Sequence, residues 1–132
     1  MIVLDASAVV ELLLGGARGE LVLQRMADEE GEIHAPGLLD VEVSQALRRL
    51  ASASVISPAR GRASVDILQE LGVFRHPERP LLPRMWDLRE NLTAYDAAYV
   101  ALAEALGCPL VTFDAGLAGA PGIGTEVVLL SA

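Results

Sequence analysis

With 132 residues, the chain suits a single domain, residues 1–132, that can bury a core without disulfides or structural metals. Apolar residues make up 52% of the sequence, but charged residues cut each apolar run well short of the roughly 20 residues that a membrane span needs. The net charge of −8 argues against a polyanionic partner without excluding one, and the absence of lysine excludes P-loop, Schiff-base and lysine-dependent phospho-receiver chemistry.

Short apolar runs alternate with amphipathic segments through the first half of the chain. The predicted elements are a strand at 2–4, helices at 8–14 and 18–29, a strand at 33–35, and helices at 38–51 and 58–71. Ser7 is the expected cap of the first helix, and Pro58 suits the first turn of the fourth. In the third helix, Leu39, Val43 and Leu47 recur at the spacing that gathers apolar side chains on one face.

The second half continues the alternation. Its predicted elements are a weak strand at 73–75, helices at 81–91 and 94–106, a strand at 110–113, a glycine-rich stretch at 116–124 and a strand at 127–130. The stripe of Tyr95, Tyr99, Leu102 and Leu106 is assigned to the core or to a dimer interface. The pattern predicts an α/β fold of three α/β/α layers, with a central parallel sheet of four to five short strands. Ligands of such sheets bind beyond the carboxyl ends of the strands, where Asp5 and Asp114 are expected to lie.

The cysteine content and the start of the chain predict its location. Cys108 is the single cysteine, so an intramolecular disulfide is excluded and a reducing compartment is the expected setting. The N-terminus has no basic segment, and Asp5 stands where a signal peptide needs apolar residues. We therefore expect a cytoplasmic protein without a membrane segment.

Four carboxylates lie at the edges of apolar segments. Asp5 and Asp114 each follow an apolar strand, Glu42 borders the apolar face of its helix, and Asp96 lies in the first turn of a helix that is apolar almost all round. Burying an isolated carboxylate is unfavourable, so these groups should pair with arginines, take up protons or share a cation. Convergence on one divalent ion accounts for all four together.

Each of these acids except Asp5 also has a simple structural interpretation. Asp114 would N-cap a short helix, and Asp96 would complete a capping box with Thr93. Glu42 has no basic residue three or four positions away, so Arg49, two turns on, is its nearest ion-pair candidate. Spacing alone does not decide between these interpretations and a metal site.

Four stretches of the chain resemble, in order and spacing, the motifs of PIN domains, and especially of the VapC toxins of bacterial toxin–antitoxin pairs. They are residues 3–8 (VLDASA), Pro36 with 41–47 (VEVSQAL), 92–103 (LTAYDAAYVALA) and 110–117 (LVTFDAGL). The resemblance covers essentially the whole chain. It implies a metal-dependent endoribonuclease acting on single-stranded RNA, with Asp5, Glu42, Asp96 and Asp114 as the matching acids. It also implies a homodimer that is inhibited by an antitoxin whose C-terminal segment crosses the active site.

Mg²⁺ is the expected metal and Mn²⁺ the alternative, because Mg²⁺ takes oxygen ligands and keeps several waters. We expect Asp5, Asp96 and Asp114 to bind it directly or through water, and Glu42 to act as a ligand or to orient water. Ser7 and Thr112 adjoin these acids and are expected to hydrogen-bond them or a bound water. Some members of the family carry a further acid where this chain has Gly116, so a second tightly held metal ion is not implied.

Of three other functions, one is excluded and two remain open at this point. A phospho-receiver needs a lysine that the chain lacks. A catalytically weak PIN-like binding module would keep its acids for stability or partner contact. A metal-dependent phosphoesterase acting on small esters would share the metal chemistry but would not cleave RNA.

Overall fold

Five short strands form the centre of the molecule in a computed structural model that describes residues 1–131. The strands are β1 (Ile2–Leu4), β2 (Ile33–Pro36), β3 (Val73–His76), β4 (Leu110–Thr112) and β5 (Val127–Leu129). The helices are α1 (Ala6–Leu14), α2 (Gly16–Asp28), α3 (Leu39–Ser52), α4 (Pro58–Glu70), α5 (Leu82–Asp87), α6 (Ala94–Leu106) and α7 (Ala115–Ala118). A 3₁₀ turn at Arg79–Leu81 precedes α5.

The strands lie in the order β3-β2-β1-β4-β5, and every neighbouring pair is parallel. The central strand β1 pairs Val3 with Leu110 and Leu4 with Val111 on β4. Continuing this register by one residue brings Asp5 beside Thr112 at the carboxyl edge of the sheet. The parallel α/β fold with four to five short strands is therefore confirmed.

Helices cover both faces of the sheet. The helix α1 packs on β1 and β4 and is joined by α2, α3 and α4, whereas α6 packs on β1, β2 and β4 and is joined by α5. This division follows from topology, because the chain crosses the sheet in one direction from β1 to β3 and then returns to β4, and right-handed crossovers place those connections on opposite faces. The central strands are accordingly buried on both sides, with Ile2, Val3 and Leu4 all 0% exposed.

Most element boundaries shift by one or two residues from the sequence prediction, and two of the differences bear on the site and the core. The first helix begins at Ala6, and its cap is Asp5 instead of Ser7. The helix expected at 81–91 is shorter, because α5 ends at Asp87 and the chain turns through Leu88 and Leu92, both of which are buried. Within the described residues, no helix is long and apolar enough to cross a membrane.

Candidate active site at the carboxyl edge of the sheet

Asp5 is the most constrained of the four acids. It is 5% exposed and leaves β1 in an extended conformation, so that its Oδ1 caps α1 by accepting a hydrogen bond of 3.0 Å from the Ala8 amide. Ser7 Oγ donates to the same oxygen at 2.6 Å, and Thr112 Oγ1 donates to Oδ2. Burial raises the pKa of the Asp5 carboxyl, its hydrogen bonds oppose that rise, and the charge of Asp114 adds to it.

The two hydroxyls form one network with the backbone around them. Ser7 Oγ accepts a hydrogen bond from the Phe113 amide at 2.9 Å, and Thr112 Oγ1 accepts one from the Asp114 amide at the same distance. The hydroxyls lie 3.3 Å apart. The prediction that Ser7 and Thr112 hydrogen-bond the neighbouring acids is confirmed for Asp5. The network joins the start of α1 to the end of β4 and holds the Asp5 carboxylate in one orientation.

Glu42 lies in the first turn of α3, and its Oε1 accepts a hydrogen bond of 2.7 Å from the hydroxyl of Tyr99 on α6. Burial raises the pKa of the Glu42 carboxyl, the Tyr99 hydrogen bond lowers it, and the charge of Asp5 raises it. Glu42 has no salt bridge with Arg49 or with any other cation between residues 1 and 131. The ion-pair interpretation of Glu42 is therefore wrong.

Tyr99 is the contact that sequence reasoning missed. The sequence pattern assigns it to the core or an interface, and at 1% exposure its ring is indeed in the core, but its hydroxyl reaches Glu42. A signal was available, because a tyrosine on a buried helix needs a partner for its hydroxyl. The same burial raises the pKa of the Tyr99 phenol, so the hydroxyl stays a neutral donor.

Asp96 lies one turn before Tyr99 on α6. Thr93 caps this helix by accepting a hydrogen bond of 3.2 Å from the Asp96 amide, but no donor in the described part of the chain bonds the Asp96 carboxylate in return. The capping box is therefore only half formed. Burial raises the pKa of Asp96 to about 6, with further contributions from the charges of Asp114, Asp5 and Glu42.

Asp114 is exposed and caps α7, since its Oδ1 accepts hydrogen bonds from the amides of Gly116 at 2.8 Å and Leu117 at 3.3 Å. The cap interpretation is thus correct as a local description. It does not remove Asp114 from the site, because its charge raises the pKa of both Asp5 and Asp96. Its Oδ1 caps α7, while the negative charge of the carboxylate acts on Asp5 and Asp96.

The charges of the four acids therefore act on one another, and no salt bridge within the described residues neutralises any of them. None of them forms a salt bridge among residues 1–131, and each of Asp5, Glu42 and Asp96 has its pKa raised by at least one of the others. In the same residues, no three His, Cys, Asp or Glu side chains are gathered closely enough to form a ready-made metal cage. A hard cation that keeps several waters fits this set, because water can bridge carboxylate oxygens that do not meet.

An open groove with a volume of about 780 Å³ adjoins the site at Glu42. It is bounded by Ser7 and Glu42 at the site and by apolar residues of α1 and α3, and it also contains Arg18 and Arg49. The Arg18 guanidinium lies 4.4 Å from the centre of the Phe113 ring. The groove also contains Glu11, whose carboxylate lies 3.6 Å from Arg18 Nε, so it combines an apolar wall with two arginines and, in addition to Glu42, a second carboxylate.

Comparisons with known proteins agree with this geometry. The PIN domain family matches residues 2–122. Ribonuclease VapC1 of Mycobacterium tuberculosis is 46% identical over 129 residues, which are 97% of this chain and 96% of that protein. Ribonuclease VapC12 of the same species is 44% identical over 131 residues, covering 99% and 100% of the two chains. A toxin–antitoxin complex from Klebsiella pneumoniae contains a chain that matches at a TM-score of 0.65 and 18% identity, over 97% of this chain and 96% of that one, and this likeness shows the fold alone.

Proposed function

The chain belongs to the PIN domain family and to its VapC branch, and we propose that it is a metal-dependent endoribonuclease that serves as the toxin of a toxin–antitoxin pair. One observation carries the proposal: four carboxylates from separate parts of the chain act on one another at the carboxyl edge of the sheet, and none of them forms a salt bridge with a cation among residues 1–131. An excess of negative charge at the end of a parallel sheet favours a divalent cation that faces a substrate phosphate.

Mg²⁺ is the proposed metal, with Mn²⁺ as the alternative, and Asp5, Asp96 and Asp114 are its proposed ligands, directly or through water. When bound, such an ion polarises the scissile phosphodiester and lowers the pKa of a water for in-line attack. Asp5 is suited to its role because its hydrogen bonds fix the carboxylate before anything binds. Glu42 acts as a further ligand or as the group that orients the attacking water.

RNA is the proposed substrate, because the two relatives from Mycobacterium tuberculosis are named ribonucleases. The groove supports this, since Arg18 and Arg49 line it and can contact phosphates, while Glu42 of the acidic site borders it. An antitoxin is the proposed protein partner, by analogy with the complex from Klebsiella pneumoniae. The apolar wall beside the acids would accept an apolar segment of that partner. We further propose a homodimer in the cytoplasm.

The test is cleavage of single-stranded RNA by the purified chain with and without Mg²⁺ or Mn²⁺, compared with the variant Asp5→Asn. Asparagine caps a helix as well as aspartate does, so the fold should survive, but cleavage should fall on the order of 100-fold or more with the loss of the charge. The matched control is Asp28→Asn, an exposed carboxylate at the end of α2.

The outcomes separate the alternatives. Metal-dependent cleavage that Asp5→Asn abolishes and Asp28→Asn preserves supports the proposal. A metal-dependent rise in melting temperature without cleavage of any RNA would instead identify a binding module, and hydrolysis of small phosphate esters alone would identify a phosphoesterase. Undiminished cleavage by Asp5→Asn would refute the assignment of Asp5.

A further inference from the structure

The hydrogen bond between Tyr99 and Glu42 joins the two helical layers at the site. Tyr99 belongs to α6, one turn after Asp96, and Glu42 belongs to α3 on the opposite face of the sheet. The hydroxyl of Tyr99 lies 2.7 Å from Glu42 Oε1. Within residues 1–131 this is the one side-chain hydrogen bond that links α3 to α6. The bond therefore fixes the position of Glu42 relative to α6, the helix that carries Asp96.

The two partners differ greatly in how far their surroundings constrain them. The Tyr99 ring is 1% exposed and fixed by the core, whereas Glu42 is partly exposed beside the groove and has three rotatable side-chain torsions. Glu42 has no other hydrogen-bond donor and no salt bridge in the part of the chain that the structure describes. The orientation of its carboxylate therefore depends on a hydroxyl held by the core.

The type of donor also matters. A lysine or arginine at this position would orient Glu42 but would neutralise it, and the site would lose part of its attraction for a cation. A phenol orients the carboxylate through one oxygen, keeps the negative charge and leaves Oε2 free for a metal-bound water or a second ligand. The arrangement is what a preorganised acid needs.

We propose that Tyr99 is a positioning residue for the reaction, which acts by fixing the Glu42 carboxylate in its working orientation; this inference rests on the proposed ribonuclease function. The variant Tyr99→Phe keeps the ring in the core and removes only the donor. We expect its kcat for RNA to fall about 10- to 100-fold, while KM stays within about twofold, because the variant leaves Arg18 and Arg49 of the groove in place. The control Thr125→Val removes a comparable hydroxyl, bonded to the Cys108 carbonyl at the opposite edge of the sheet, and should keep the wild-type kcat.

A double-mutant cycle distinguishes positioning from packing. In a Glu42→Ala background, Tyr99→Phe should change kcat by less than about twofold, since the group that Tyr99 positions is already absent. In unfolding experiments with EDTA, the same cycle should show a coupling of about tenfold in the unfolding equilibrium constant. A residue that contributed only packing would show neither coupling.

Each result has a definite reading. A wild-type kcat in Tyr99→Phe, in an assay where Asp5→Asn is inactive, would overturn the inference and leave the proposed function standing. Equal losses of kcat on Tyr99→Phe in the wild-type and Glu42→Ala backgrounds would also overturn it. Failure of the wild-type chain to cleave RNA with either metal would overturn the proposed function together with the inference that rests on it.

Discussion

Removing the charge of Asp96 should stabilise the metal-free protein. The pKa of Asp96 is raised from 3.8 to about 6 by burial and by the charges of Asp114, Asp5 and Glu42. A raised folded-state pKa means that the ionised carboxylate destabilises the fold at neutral pH. A shift of this size corresponds to at most about 3 kcal/mol, and solvent screening of a partly buried group reduces it to about 1–2 kcal/mol.

One effect opposes the gain from Asp96→Asn. Asp96 lies in the first turn of α6, where a negative charge interacts favourably with the helix dipole, and losing that interaction costs about 0.5 kcal/mol. The relief of burial and repulsion outweighs this loss. We therefore expect Asp96→Asn to be more stable than the wild type by about 1 kcal/mol at neutral pH, which is a rise in melting temperature of about 3–5 °C.

The assay is thermal and urea unfolding in EDTA at about pH 7.5 and again at about pH 4, with Asp28→Asn as the exposed control. The advantage of Asp96→Asn should be full above the folded pKa of about 6. It should disappear as the pH falls from there towards the unfolded value of 3.8, because the folded wild type takes up its proton first and the unfolded chain last. Added Mg²⁺ should stabilise the wild type more than the variant. Equal or lower stability of Asp96→Asn at neutral pH in EDTA would refute the claim that its charge is unbalanced.

Two further predictions concern stability away from the site. Hydrogen bonds from Arg84 are the largest influence on the pKa of Glu104 and lower it below 4.5, so Glu104→Gln should lose about 1 kcal/mol of unfolding free energy at neutral pH. This difference should shrink as the pH falls through the folded pKa, and a pH-independent difference in urea unfolding would contradict the prediction. A Cβ added at Gly19 would lie 2.7 Å from the Glu11 carbonyl oxygen, so Gly19→Ala should destabilise the protein by about 0.5–2 kcal/mol despite the helix propensity of alanine. A stabilised variant would show that α1 and α2 are not closely packed at this position.

The strand pattern and its consequence for the site could be predicted from local sequence. Ile2–Leu4 and Leu110–Thr112 are short apolar runs that each precede an acid by one or two residues. In a parallel α/β sheet such runs become buried strands with their carboxyl ends at one edge, so the proximity of Asp5 and Asp114 follows from periodicity and topology together. The periodicity of a strand depends on a few neighbouring residues and the topology of a parallel sheet depends on the order of elements, and both can be inferred from a single sequence.

Cap identity and helix length were harder to predict because they depend on competition between neighbours. Asp5 and Ser7 both have cap chemistry, and the register of β1 against β4 selects Asp5 by placing Thr112 beside its second oxygen. The helix expected at 81–91 is shortened because Leu88 and Leu92 gain burial when the chain turns after Asp87. Tertiary burial outweighs helix propensity in that segment.

The contact between Tyr99 and Glu42 shows why sequence motifs alone do not predict how the acids of such a site are oriented. The two residues are 57 positions apart, and no periodicity relates them. Their meeting depends on how α6 is placed relative to the start of α3, and the packing of the buried helix α6 in the core decides that placement. A motif identifies the acids that a family uses, whereas the packing of the core decides how each acid is oriented. Substitutions on the buried face of α6 should for that reason change catalysis through geometry, without touching an acid.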